Sequence, residues 1–212
     1  MAGTVREKPA GYCGIENAKF AKRTGDTYAT ELLEVKFATG LTLNPQVEAT
    51  EQHADNRLLF RVPSDTGLDG ELSTTAADPE LEKAAGLAVE GAGGLIGVDM
   101  TRYLKGALYF EHIMYPESAI AKKVKIWLLN VELGRGAESY TTNKKSAELG
   151  SYAYPIHVYG DPLMAADGLK EFLDENGMGH KSYRIAAYPG DTDYATFGDA
   201  VPVPKVLASG GG

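Results

Sequence analysis

One twelve-residue stretch, KKVKIWLLNVEL at positions 122–133, narrows the choice of fold more than any other part of the chain. Its first half alternates lysine with apolar residues. Its middle, Ile126-Trp127-Leu128-Leu129, is apolar at every position. Successive side chains of a strand point to opposite faces, so a strand here needs cover on both sides. A sandwich core supplies that cover, as does a core plus a subunit contact.

The surrounding sequence repeats the strand signal. Leu104, Leu108, Phe110 and Met114 share one face of a strand predicted over 103–115, with Tyr109 and Ile113 on the other. Tyr152, Tyr154, Ile156 and Val158 line one face over 151–159. Leu33, Val35 and Phe37 alternate with Glu34 and Lys36, and Leu41, Leu43 and Val47 alternate over 40–51. Pro45 interrupts that run and points to an edge strand or a bulge. A turn at Ala54-Asp55-Asn56, a strand over 57–62, a turn cluster Pro63-Ser64-Asp65-Thr66-Gly67 and a strand over 69–75 follow.

A single helix is expected next. Asp78 is placed to cap it, Pro79 costs nothing at its first position, and Glu80 and Glu82 suit the positive end of its dipole. Leu81, Ala84, Ala85 and Ala88 make its apolar face, and Gly86 and Gly91 favour its end. The glycine run 91–97 reads as a flexible connector, and 134–150 as a polar loop. Residues 167–176 fit either a helix ended by Gly177 or a strand leading to an Asn176-Gly177 hairpin turn, with a strand over 182–188. The hairpin agrees better with the flanking strands, and the choice over 167–185 stays open at this level. Residues 1–23 read as an extended arm around a weak strand at 17–22, and 201–212 as a loose tail. With no internal repeat or linker, the expectation is a single domain over 1–212. Its class is mainly β, with an antiparallel β-sandwich-like core and one short flanking α-helix.

Charge and cysteine content narrow the function. Cys13 is the sole cysteine, so no intrachain disulfide forms, and a reducing compartment is expected. The first residues lack the apolar core of a signal peptide, and no stretch approaches the ~18 apolar residues of a membrane span. A soluble protein made in the cytoplasm is expected. The net charge of −8 argues against a module that grips nucleic acid through a basic face.

The residues that could carry chemistry are scattered. His53, His112, His157 and His180 show no metal-ligand spacing, and Cys13 has no CxxC partner. GAGGLIG at 91–97 lacks a glycine at the position of Ile96, and with it the dinucleotide fingerprint. Asp191, Asp193 and Asp199 form the densest carboxylate cluster, but their spacing is not that of a calcium loop. Tyr152, Tyr154 and Tyr159 read as core or interface residues, with no interleaved basic residues for stacking nucleic acid. No catalytic, cofactor-binding or metal-binding residue is therefore assigned, and no enzyme is expected.

The order of these pieces carries a resemblance. GYCGIENAKFA opens the chain. VEATEQHADNRLLF then crosses an ADN turn, and GLDGELST precedes the helix DPELEKAAGLA. GALYFEHIMY, KKVKIWLLNVEL and TTNKKSAELGSYAYPIHVYG complete the series, with PGDTDYATF beyond it. In order and spacing this resembles the major tail tube proteins of long-tailed bacteriophages, over roughly 11–160. The resemblance implies a β-sandwich-like core with a flanking helix and no active site. It implies hexameric rings stacked into a hollow tube around a tape-measure protein. Tail terminator and distal tail proteins would be further partners, and DNA would pass through the lumen without specific binding. The place of action would be the virion tail, after synthesis in the host cytoplasm, with no membrane partner. An acidic lumen wall, an arm and loop that order on stacking, and strands needing partners beyond one subunit are the matching expectations. The rival reading is a phage-borne β-sandwich that recognises carbohydrate or a host surface.

Overall fold

The protein is described by a computed structural model at residues 9–54, 57–99, 102–117, 120–138, 151–162, 164–165, 168–169, 172–173 and 179–202. In chain order the elements are β1 (Pro9–Thr24), β2 (Thr27–Glu34), β3 (Ala38–Ala54), β4 (Arg57–Thr74), helix α1 (Pro79–Ala85), β5 (Ala88–Gly91), β6 (Gly94–Gly97), β7 (Leu104–Pro116), β8 (Lys122–Leu133), β9 (Ala137–Glu138) and β10 (Tyr152–Val158). Short strands follow: β11 (Asp161–Pro162), β12 (Met164–Ala165), β13 (Gly168–Leu169), β14 (Phe172–Leu173), β15 (Gly179–Ser182) and β16 (Arg184–Ala187). The architecture is mainly β, antiparallel and sandwich-like, with one helix, as the sequence pattern predicts.

The main sheet has the order β2-β1-β7-β8-β10-β4-β3. Strand β8 is where it divides. One edge of β8 pairs along its length with β7; the other is shared, β16 taking Lys125–Leu128 and β10 taking Val131–Leu133. Asn130 sits at the changeover with φ 47, opposite a register shift between Gly106 and Leu108. Such a bulge bends the strand and reverses which side chains face inward. Val124, Ile126 and Leu128 point into the main core before it, and Val131 and Leu133 after it. Trp127 and Leu129 point the other way. Beyond the bulge β10, β4 and β3 diverge from β16, and the second layer begins.

The main core joins Phe20, Leu72, Leu81, Leu108, Tyr154 and Ile156 with their neighbours from both layers and from α1. Gly106 is required there, because a Cβ would overlap the Phe20 ring and the Ala21 carbonyl. The helix docks through Leu81 and Ala85, capped by Asp78 and ended by Gly86 in the left-handed region, as expected. A second cluster lies on the outer face of the same strands: Ala21, Ala107, Tyr109, Trp127, Leu129, Ala187 and Phe197. It corrects the expectation that β8 needs a partner subunit. The irregular segment 188–201 covers it from within the chain. Trp127 Nε1 donates to Phe197 O (2.8 Å), Lys125 Nζ to Tyr194 O (2.8 Å) and Tyr194 Oη to Lys123 O (2.8 Å).

Several other expectations change. From Pro9 onward the arm predicted over 1–23 is a strand inside the sheet, bonded to β2 and β7; 1–8 lie outside the described residues. Its alternation is hidden by three register shifts, with Gly14 and Asn17 at positive φ. The turn predicted at 63–67 is absent, and β4 runs through it, because β3 offers a partner of matching length. Asp65 Oδ1 accepts from Gly67 N at 2.9 Å, which eases the passage. The strand predicted to reach Phe37 ends at Glu34, and Phe37 turns at φ 59. The glycine run is not a connector but the hairpin β5–β6. In the ambiguous region β14 pairs with β15, which favours the hairpin over the helix; Asn176 and Gly177 lie outside the described residues. So do 139–150, most of the predicted polar loop, and 203–212 of the predicted tail. Pro45 does stand on an edge strand, β3, as its sequence suggests.

Candidate assembly surface

The chemistry-bearing residues are spread over different strands. Among the described residues no three His, Cys, Asp or Glu side chains gather to hold a metal. Cys13 is exposed on β1. His112 is half-buried against Tyr12, with ring centroids 4.9 Å apart; burial first, then Arg184, holds its pKa below the ordinary value. His157 places Nδ1 2.5 Å from Asp69 Oδ1, with Tyr103 edge-on at 5.9 Å. His53 and His180 lie where only the backbone is described. Asp191 serves a turn, its Oδ2 accepting from Tyr188 N at 2.9 Å. Asp193 and Asp199 are exposed. Tyr152 and Tyr154 are core residues, ring centroids 4.7 Å apart. Tyr154 Oη accepts from Asp78 N, and burial pushes its phenol up to about 12.

Two polar networks escaped the sequence reading because their members lie far apart in the chain. In the first, Asp161 is buried and receives Arg23 Nη1 at 3.0 Å and Tyr28 Oη at 2.6 Å. Tyr28 Oη in turn accepts from Asn130 N at 3.0 Å, which satisfies the backbone at the bulge. Burial, then the bond to Asp161, raises the Tyr28 phenol well above its ordinary value. In the second, buried Glu111 receives Tyr109 Oη (3.0 Å) and Lys123 Nζ (2.9 Å), and Lys123 also meets Glu16 at 2.9 Å. These groups are mutually satisfied. No described buried side-chain nitrogen or oxygen lacks a partner.

Among the described residues the longest run of open strand edge with exposed apolar side chains lies on the β3–β4 hairpin; the shorter hairpin β5–β6 also exposes Val89, Leu95 and Ile96, and β1 has one open edge before Lys19. Strands β3 and β4 pair with each other to their ends, from Ala38↔Thr74 to Ala54↔Arg57. Strand β10 covers β4 only along Leu68–Thr74. From Gln46 to Ala54 and from Arg57 to Gly67 the hairpin is therefore a two-stranded ribbon with no strand on either edge among the described residues. At about 3.3 Å per residue it projects roughly 25–30 Å. Val47 is 60% exposed and Phe60 49% exposed on it. An isolated ribbon of this kind is marginal in water and offers free N–H and C=O groups to another chain.

A row of polar side chains crosses the sheet nearby. Asp69, His157, Glu132 and Lys105 are successive partners on β4, β10, β8 and β7. Lys105 Nζ meets Glu132 Oε1 at 2.6 Å. Exposed Tyr103 and Tyr159 flank the row.

No protein-family model matches the chain, and no curated protein matches it significantly. Among the described residues no helix is long and apolar enough to cross a membrane.

Proposed function

We propose that the protein is a structural subunit that assembles with copies of itself into a hollow tube, the tail tube of a long-tailed bacteriophage. In that setting six copies form a ring and rings stack around a tape-measure protein, with terminator and distal tail proteins closing the ends. The observation that carries the reading is the β3–β4 ribbon, open on both edges and exposing Val47 and Phe60. A monomeric protein gains nothing from such an element, since its ordering entropy of ~1–2 kcal/mol per residue is repaid only where surface is buried. A neighbouring copy supplies that surface.

Two parts of the expected design are revised. The region from Pro9 to Thr24 is not a free arm, because it is paired with β7 over 9–22 and with β2 over 19–24 within its own sheet. The outer face of β8 cannot be a subunit contact while 188–201 lies over it. The test is negative-stain microscopy with sedimentation velocity on the purified chain over a concentration series. Rings or tubes are expected. A strict monomer at every concentration and salt, or a small oligomer that binds glycans, would favour the carbohydrate-recognition reading instead.

A further inference from the structure

Lys22 and Arg102 have no hydrogen-bond or ion-pair partner among the described residues, yet both line one groove of about 340 Å³. The groove lies where β1 ends, β7 begins and α1 closes. Arg23 and Lys105 also line it, but Asp161 and Glu132 already engage them at 3.0 Å and 2.6 Å. Ala84, Ala85 and Leu104 add apolar surface. The chain as a whole carries −8, so two copies repel at long range. A concavity with surplus positive charge is where an acidic element of another copy would be drawn in.

The ribbon has the matching character. Positions 46–67 hold four acidic and two basic residues. Glu48 is exposed without a partner among the described residues. Glu51 meets Arg61 at 3.5 Å in a pair exposed on both sides, an arrangement worth little in water. The placement also fits. Lys22, Gly106, Val131, Val158, Leu68 and Pro45 form one row across the sheet. From that row β1 and β7 run on two residues to the groove, at Thr24 and Leu104, the latter level with Gly70. The ribbon leaves the same row in the opposite direction, from Leu68 back to Arg57. Donor and acceptor therefore lie at opposite ends of the strands, which is the condition for a head-to-tail contact that repeats from copy to copy.

We propose that this groove receives the β3–β4 ribbon of a second copy, with Lys22 and Arg102 meeting the carboxylates on its two faces, Glu48 on one and Glu51 on the other. The inference rests on the tube reading and gives it a specific contact between copies. It is tested by charge reversal, with assembly read by sedimentation velocity and negative stain, and folding read by thermal unfolding. Lys22→Glu with Arg102→Glu should reduce assembly at least tenfold in critical concentration, with the unfolding midpoint unchanged. Adding Glu48→Lys and Glu51→Lys to the same chain should restore it. A control of equal charge change, Lys36→Glu with Lys181→Glu, should assemble like wild type. Unimpaired assembly of the Lys22/Arg102 variant overturns this inference and leaves the tube reading standing. So does equal impairment of the control, or failure of the four-site variant to recover. A wild-type chain that never assembles overturns both.

Discussion

Strand β8 and the outer half of the β3–β4 ribbon are both long, antiparallel, and mixed in apolar and charged residues, yet they end in opposite environments. Trp127, Leu128 and Leu129 on β8 are 0%, 0% and 2% exposed, whereas Val47 and Phe60 on the ribbon are 60% and 49% exposed. Side-chain content accounts for part of the difference, since β8 carries the apolar run Ile126–Leu129 and 46–54 has only Val47, Ala49 and Ala54. What lies over them accounts for the rest. Strand β8 has the main core on one face and the segment 188–201 on the other, held by the Trp127–Phe197 and Lys125–Tyr194 hydrogen bonds. The ribbon has left the body and has no described layer above or below. Apolar surface is therefore satisfied inside the chain at β8 and left for a partner at β3–β4.

The sharpest way to break this comparison is to empty the covered face. Trp127→Ala removes a fully buried ring and the donor to Phe197 O, and should cost about 3–5 kcal/mol. Urea denaturation of the unassembled chain measures it. A loss under about 1 kcal/mol would mean that 188–201 does not cover β8 in solution. Next in size is the network that satisfies the bulge. Tyr28→Phe leaves Asn130 N–H and one Asp161 oxygen short of a partner, and should cost about 1–3 kcal/mol by the same measurement.

A smaller effect tests whether Glu111 belongs to the covered face. Burial alone would raise its carboxyl pKa, but hydrogen bonds from Lys123, Tyr109 and Asn17 outweigh burial and hold it below the ordinary value. A lowered folded pKa stabilises fully above the unfolded value of ~4.3 and ceases to do so as pH falls through the folded value. Wild type should therefore exceed Glu111→Gln in stability at pH 7, and the gap should close on acidification. Urea midpoints at a series of pH values follow it; a gap that widens in acid contradicts the assignment. The smallest effect belongs to the ribbon. Phe60→Ala should change the stability of the unassembled chain by no more than about 0.5 kcal/mol, while assembly weakens. A large loss of stability would show that the ribbon folds back on its own body.

The same contrast explains what could be read from residues alone. The cores of β7, β8 and β10 were legible because each keeps strict alternation between bulges: Leu104, Leu108, Phe110 and Met114 all enter the main core. β1 was not, because its register shifts at three points and its apolar residues lose their period. Nothing in Pro63-Ser64-Asp65-Thr66-Gly67 signals a strand, and β4 continues there because of its pairing to β3. Of the candidate assembly surface, Pro45 on an edge strand was readable, but the open edges of the ribbon depend on where β10 stops. The groove joins Lys22, Ala85 and Arg102, which only the sheet order brings together.

By itself the sequence determined the elements whose chemistry is local. Period-two alternation made the inner strands, and Asp78, Pro79 and Gly86 set both ends of α1, because caps and pleats involve residues a few positions apart. Tertiary structure alone decided which strand lies beside which, and which apolar face goes uncovered. Those outcomes rest on contacts such as Trp127 with Phe197 and Arg23 with Asp161, between residues far apart in the chain. Their free energy exists only once the sheet has divided at Asn130 and brought the partners into reach.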